Sequence, residues 1–216
     1  MDAVPLRIEW RLATPWSPNQ QGLHLDGLIA WAIKEEFEHE GVAFTFESLL
    51  ADLPFAKHVG QYGWVWQASL VQPQGRAGIE RRYMTAKTAS HQLAALSVAG
   101  QLEGRALTNI DTVRGNFKND AFWYTLEDVD HCIAWCVGDP ERITPLLDRI
   151  THLGRRGRLD HGRVESVEIH EDPEAETRWR ERVMPDPIDG YVPTIGRLNP
   201  PYWEGEGQTA LWRPPI

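Results

Sequence analysis

Leu6, Ile8, Trp10 and Leu12 alternate strictly with Arg7, Glu9 and Arg11 near the start of the chain. A period of two sends apolar side chains to one face of an extended segment and charged ones to the other, which commits the chain to a sheet with a buried face. Val129 to Val137 is apolar nearly throughout, with Cys132, Ile133, Ala134, Trp135 and Cys136. This suits a central strand covered on one face and partly on the other. Gly63 to Val71 is rich in aromatic and β-branched residues and reads as a further strand, with Trp64, Trp66, Ala68 and Leu70 sharing a face. Val164, Val167 and Ile169 mark a last strand whose imperfect alternation points to a bulge.

Two helical patterns lie between these strands. Asp26 is placed to cap the first, in which Leu28, Ile29, Ala32, Ile33 and Phe37 recur at helical spacing to about His39, leaving Lys34, Glu35 and Glu38 for water. In the second, Asp139 and Pro140 match cap and first-turn preferences, and Ile143, Leu146, Leu147, Ile150 and Leu153 form the stripe to be buried. Pro145 leaves two starts open: it costs about 3 kcal/mol inside a helix begun at Pro140, or becomes the favoured first residue if Thr144 is the cap. Residues 40–62 read as a connection with a short helix.

Residues 73–120 break the pattern with seven Lys/Arg against four acids, and Gly75, Gly78, Gly100, Gly104 and Gly115 serve as joints. Ala89 to Val98 can form a short helix with Leu93, Ala94 and Leu96 as its apolar side. The segment is either an inserted arm or an ordinary surface loop with its charges in water. From Pro185 onward the chain holds seven of the 15 prolines with Tyr191, Tyr202, Trp203 and Trp212, a tail unfit for regular helix and too aromatic for a free linker, so it should wrap back onto the body. Without the arm the order is strand, helix, strand, strand, helix, strand. That predicts an α+β fold of the ferredoxin-like βαββαβ type, which many RNA-binding modules share. The expected division is a domain over 1–72 and 129–216, with the arm (73–128) between the second and third core strands.

Between the second helix and the last strand stands Gly154-Arg155-Arg156-Gly157-Arg158-Leu159-Asp160-His161-Gly162-Arg163. Three glycines and four arginines in ten residues describe a tight turn whose main-chain N–H groups and forked guanidinium groups suit phosphate oxygens. It lacks the Gly-Lys-Ser/Thr ending of a nucleotide-binding loop, and the glycine spacing is not that of a dinucleotide fingerprint. A nucleic-acid backbone is the favoured ligand, against a solvated basic turn. The net charge of -9 excludes a generic nucleic-acid coat, so any such site must be local. Cys132 and Cys136 face the same side two pleats apart, too far for an unstrained disulfide, and read as buried thiols of a reducing compartment. The N-terminus lacks signal-peptide character and no apolar run reaches membrane-spanning length, so a soluble, cytoplasmic protein without membrane contact is expected. No spacing of His, Cys or Asp resembles a metal site.

The glycine-arginine turn at this junction resembles the Gly-rich loop of the RAMP superfamily of CRISPR-associated RNA-binding proteins. Leu25-Asp26-Gly27-Leu28-Ile29-Ala30-Trp31-Ala32, Arg114-Gly115-Asn116-Phe117-Lys118 and Asn199-Pro200-Pro201-Tyr202-Trp203 narrow the likeness. Together they are similar to the Cas-five-like subunit of type IV CRISPR effector complexes, with a departure at Leu159-Asp160. The resemblance implies a non-catalytic subunit that caps a ribonucleoprotein filament, binds the 5′ handle of the guide RNA (crRNA) and touches the adjacent backbone subunit. It further implies the large subunit and target DNA near its flanking motif as partners, and no cofactor. On it, Gly154, Arg155, Arg156, Gly157, Arg158, His161, Gly162 and Arg163 are candidate handle contacts. Arg81, Arg82, Lys87, Arg114, Asn116 and Lys118 are candidate contacts to RNA or displaced DNA along the arm. Phe117, Trp123 and Tyr124 either stack on bases or pack the arm. Some relatives cut precursor RNA without metal through histidine, which makes His24 and His161 the residues of an alternative endonuclease reading. A protein scaffold that binds no RNA is the third reading.

Overall fold

The computed structural model describes residues 3–19, 22–87, 89–101, 111, 113, 114, 118–202 and 204–215. The chain divides into two compact units, Met1–Ile79 with Glu127–Ile216 and Glu80–Leu126. The fold is mixed α+β. Its main sheet has five strands in the order β2-β5-β8-β1-β9, comprising β1 (Val4–Leu12), β2 (Leu23–His24), β5 (Leu70–Gln74), β8 (His131–Gly138) and β9 (Val164–Glu171). Every pairing in it is antiparallel. The alternation at the start of the chain holds: Leu6, Ile8 and Trp10 are buried while Arg11 is exposed. The expected irregularity of the last strand is a register shift opposite Arg11 and Leu12.

Helices α1 (Leu25–Glu40) and α4 (Pro140–Leu147) pack together, and their Ile29, Ala32, Ile33, Ile143, Leu146 and Leu147 join Leu6, Ile8, Trp10, Cys132, Ala134 and Cys136 in the principal core. The central strand β8 is covered on both faces. On its far side Ile133 and Trp135 pack with Ala175 of the short α5 (Ala175–Arg178), and the Arg178 guanidinium lies 3.5 Å from the Trp135 ring centre. Helix α4 starts at Pro140, with Asp139 accepting from the N–H groups of Glu141 and Arg142, and carries Pro145 inside it. Burying Ile143, Leu146 and Leu147, at about 1.5–3 kcal/mol each, outweighs the roughly 3 kcal/mol that an interior proline costs.

Three expectations are corrected. Asp26 is not a cap: His24 holds the N-cap position, and Asp26 sits fully buried in the first turn. The strand expected over Gly63 to Val71 is two strands. β4 (Gly63–Trp66) forms a hairpin with β3 (Lys57–Gly60), a strand the sequence did not announce, whereas β5 belongs to the main sheet. The break between them has a cause, because the carbonyls of Trp66 and Ala68 accept from the buried Arg182 side chain instead of from a neighbouring strand. Helix α3 (Ser90–Val98) forms where expected, but no residue of it is buried and Leu96 is exposed.

Residues 40–62 do contain a short helix, α2 (Phe46–Ala51), opened by a reciprocal cap between Thr45 and Ser48. β6 (Gly78–Ala86) and β7 (Asp120–Asp128) pair as a two-stranded ribbon, most of which lies in the second unit. The tail folds back as expected. β10 (Val192–Gly196) and β11 (Thr209–Arg213) form a hairpin, and Val183, Met184, Leu198 and Leu211 pack with Val65 and Trp179 in a second core. Cys132 and Cys136 are free, buried thiols.

Candidate nucleic-acid interface

The glycine-arginine turn is tied to the segment after β1. Leu153 N–H donates to Gly162 O, Arg155 N–H to Ser17 O at 2.9 Å and Gly162 N–H to Pro15 O at 3.0 Å. Thr14 fastens the far end, its hydroxyl donating to Asp160 O at 2.6 Å and accepting from Arg163 N–H at 3.0 Å. Within the turn, Gly157–Leu159 makes one 3-10 turn, flanked by Arg156 (φ 67°) and Asp160 (φ 62°) in the left-handed region. Non-glycine residues hold that conformation only where the surroundings enforce it.

Two of the three glycines are required by the protein's own packing. A Cβ on Gly154 would stand 2.6 Å from Ser17 O, and one on Gly162 would stand 2.0 Å from Leu153 O, both at positive φ. The N–H groups of Leu153, Arg155, Leu159, Asp160 and Gly162 donate to carbonyls of the protein, and that of Arg163 to the Thr14 hydroxyl, so these amides are not offered to a phosphate. Arg155, Arg158 and Arg163 are exposed, Gly154, Arg156 and Gly157 half-buried, and Gly162 and His161 buried. Arg163 lies 3.7 Å from the Asp160 carboxylate, which also faces His152 at 3.4 Å. The side chains of Arg155 and Arg158 have no hydrogen-bond or ion-pair partner among the described residues. Fixed main chain under unpaired, exposed guanidinium groups is a preorganised cationic surface.

Two of the segments that carried the family likeness meet in the fold. Asp26 and Tyr202, fully and largely buried, are joined by the Tyr202 hydroxyl at 2.7 Å from Asp26 Oδ2. Between them lies Arg182, whose side chain has no solvent exposure. Its Nη1 donates to Asp26 Oδ2 at 3.1 Å, Trp66 O at 2.8 Å and Ala68 O at 3.0 Å; its Nη2 donates to Leu198 O at 2.7 Å and the Tyr202 oxygen at 2.8 Å. The Tyr202 ring stacks on His24 at 3.9 Å. Burial, and then the positive Arg182, hold the His24 imidazole well below its ordinary pKa, so it stays neutral and enclosed. Sequence reading passed over Arg182. The one available signal was Asp26 itself, an acid in an otherwise apolar helix opening that needs a buried cation.

The arm residues belong to the second unit. Arg81 is exposed, with its guanidinium 5.9 Å from the Trp123 ring centre. Arg82 is also exposed but grips Glu80 through Nε and Nη2 at 2.7 and 3.0 Å. Lys87, Arg114 and Lys118 are exposed. Asn116 and Phe117 lie outside the described residues, as do Gly104, Gly115 and Trp203. Trp123 is exposed rather than packed, whereas Tyr124 is half-buried. No group of three or more His, Cys, Asp or Glu side chains comes together as a metal site among the described residues. Nor is any described helix long and apolar enough to cross a membrane.

No curated protein matches the chain. A family model described as CRISPR type IV associated protein Csf3 matches residues 4–213, taking in both units, the glycine-arginine turn and the Asp26–Arg182–Tyr202 cluster. With nearly its whole length matched, the chain belongs to the Csf3 family of type IV CRISPR-associated proteins.

Proposed function

We propose that this type IV CRISPR-associated subunit is a non-catalytic crRNA-binding protein that holds the 5′ handle of the guide on the turn Gly154 to Arg163. In that reading it caps the effector filament, contacts the adjacent backbone subunit and supports guide-directed DNA targeting beside the large subunit. The observation that carries it is the pair of exposed, unpartnered guanidinium groups, Arg155 and Arg158, on a turn whose main chain is tied down at Pro15, Ser17 and Thr14. In a chain of net charge -9, such a local cationic surface selects a polyanion without attracting it everywhere. The antiparallel order β5-β8-β1-β9 with α1 and α4 supports a ferredoxin-like core, in which β1, β5, β8 and β9 are the four strands. Arg81, Arg82, Lys87, Arg114 and Lys118 supply further phosphate contacts from the arm. Burial of both His24 and His161 favours the non-catalytic reading, since neither imidazole is free to reach a ribose hydroxyl.

The test is handle-RNA affinity measured by fluorescence anisotropy across a range of salt concentrations, comparing wild type with Arg155→Ala/Arg158→Ala. For single strands the log–log slope falls by about 0.7 per phosphate contact, so losing both arginines should make it shallower by about 1.4 and weaken binding. Unchanged affinity and slope would remove the turn from the guide-binding surface.

A further inference from the structure

The β6–β7 ribbon has two unlike faces. Along β6, Arg81, Tyr83 and Thr85 point one way and Glu80, Arg82 and Met84 the other; along β7, Ala121, Trp123 and Thr125 alternate with Phe122 and Tyr124. The Tyr83 and Trp123 rings meet across the ribbon at 5.1 Å between centroids, and the Arg81 guanidinium lies over Trp123. These three therefore share a face. On the opposite face Glu80 is already engaged by Arg82, and the Phe122 and Tyr124 rings lie 6.4 Å apart. The acid that alternation places on the Arg81 face of the two strands is Glu127, which is buried and paired with Arg76. Its aromatics are open to water, Trp123 at 61% and Tyr83 at 55%.

A lone exposed aromatic needs no explanation, but two adjoining rings beside a cation that forms no ion pair among the described residues make a patch with a chemistry. We propose that this face is a stacking platform for single-stranded nucleic acid, with unpaired bases lying on Trp123 and Tyr83 and Arg81 meeting the phosphate between them. Every base offers a π face, so such a platform holds strands with little regard to sequence. Lys87, just past the end of β6, and Lys118, just before β7, are both exposed and extend the positive side for a strand that continues beyond the rings. Exposed cations beside bare rings match a polymer that is both anionic and aromatic, which an apolar protein surface is not. The inference rests on the reading of this chain as a nucleic-acid-binding subunit, and it places base contact in a unit separate from the turn.

The test uses the purified full chain with fluorescent oligo(U), oligo(dT) and oligo(dT)·oligo(dA) duplex of about 15 nucleotides. Stacking on one ring is worth enough that Trp123→Ala should weaken single-strand binding at least about fivefold, while Trp123→Phe retains most of it. Trp123→Ala should leave the salt slope unchanged, and Arg81→Ala should make it shallower by about 0.7. Photocrosslinks from a 5-iodouracil strand should map to Tyr83 or Trp123. Preference between oligo(U) and oligo(dT) identifies guide RNA or displaced DNA as the occupant, and equal binding means that the 2′-hydroxyl is not read. Duplex bound as tightly as single strand, wild-type affinity in Trp123→Ala, or crosslinks confined to the turn would each overturn the platform. Handle binding that is lost in Arg155→Ala/Arg158→Ala, yet unaffected by Trp123→Ala, would leave the turn standing and remove only the ribbon.

Discussion

Replacing Arg182 by methionine tests whether one buried cation holds the C-terminal tail against the body. The side chain has no exposure and donates to Asp26, to the Tyr202 hydroxyl and to the carbonyls of Trp66, Ala68, Leu198 and Val183. Methionine fills much of the volume but leaves the Asp26 carboxylate buried without its cation, and breaking a buried pair from one side costs about 3–5 kcal/mol. For a chain of this size, each kcal/mol moves the melting temperature by roughly 2–4 °C, so the expected drop is about 6–20 °C. Urea unfolding followed by tryptophan fluorescence should show a lower midpoint at an unchanged slope. Arg182→Met with Asp26→Leu removes the orphaned charge and should lose less than the sum of the two single changes. It should still fall short of wild type, because each carbonyl left unpaired costs about 1–3 kcal/mol. A single variant within about 0.5 kcal/mol of wild type, the range of an ordinary surface change, would refute the reasoning and make the cluster incidental.

Two further outcomes follow from buried titratable groups. The folded pKa of His24 is depressed, so the unfolded chain takes up a proton below about pH 6.5 that the folded chain refuses; this contribution is fully present above that pH and declines below it by at most about 1.4 kcal/mol per unit. His24→Gln should flatten part of the fall between pH 6.5 and 5, and melting curves with identical pH dependence in both proteins would contradict it. Burial pushes the Cys132 thiol up to about 12 and raises Cys136 further, so a thiol-specific dye at pH 8 should label neither until denaturant is added. Labelling of the native protein at the rate of free cysteine would show that β8 is not covered as described.

Much of the fold was legible because periodicity reports burial directly. The alternation from Leu6 to Leu12, the apolar run of β8 and the stripe from Ile143 to Leu147 each became the element expected of it, since one face or both had to leave water; Ile150 and Leu153 of the same stripe lie past the end of α4 yet are buried in the same core. Local pattern failed where long-range partners overrode it. Gly63 to Val71 has the composition of one strand, yet it is broken because Arg182, far along the chain, takes two of its carbonyls. Asp26 has the chemistry of a cap, yet it lies buried because that same guanidinium needs a counter-charge. β6 and β7 escaped notice because their aromatics face water, so no alternation of apolar and polar residues marks them.

The candidate site divides along the same line. Sequence by itself determined that a cationic, glycine-bearing turn stands between the second core helix and the last strand, and which chemistry its residues bring, because residue type and chain order are local facts. Only the tertiary structure decided which of those residues are available. Gly154 and Gly162 answer to Ser17 and Leu153, Arg163 to Asp160 and His161 to the interior, and Arg155 and Arg158 remain outward and unpartnered. The reason is physical: a side chain's freedom depends on what the rest of the chain places within a few ångströms of it, and no spacing along the sequence carries that distance.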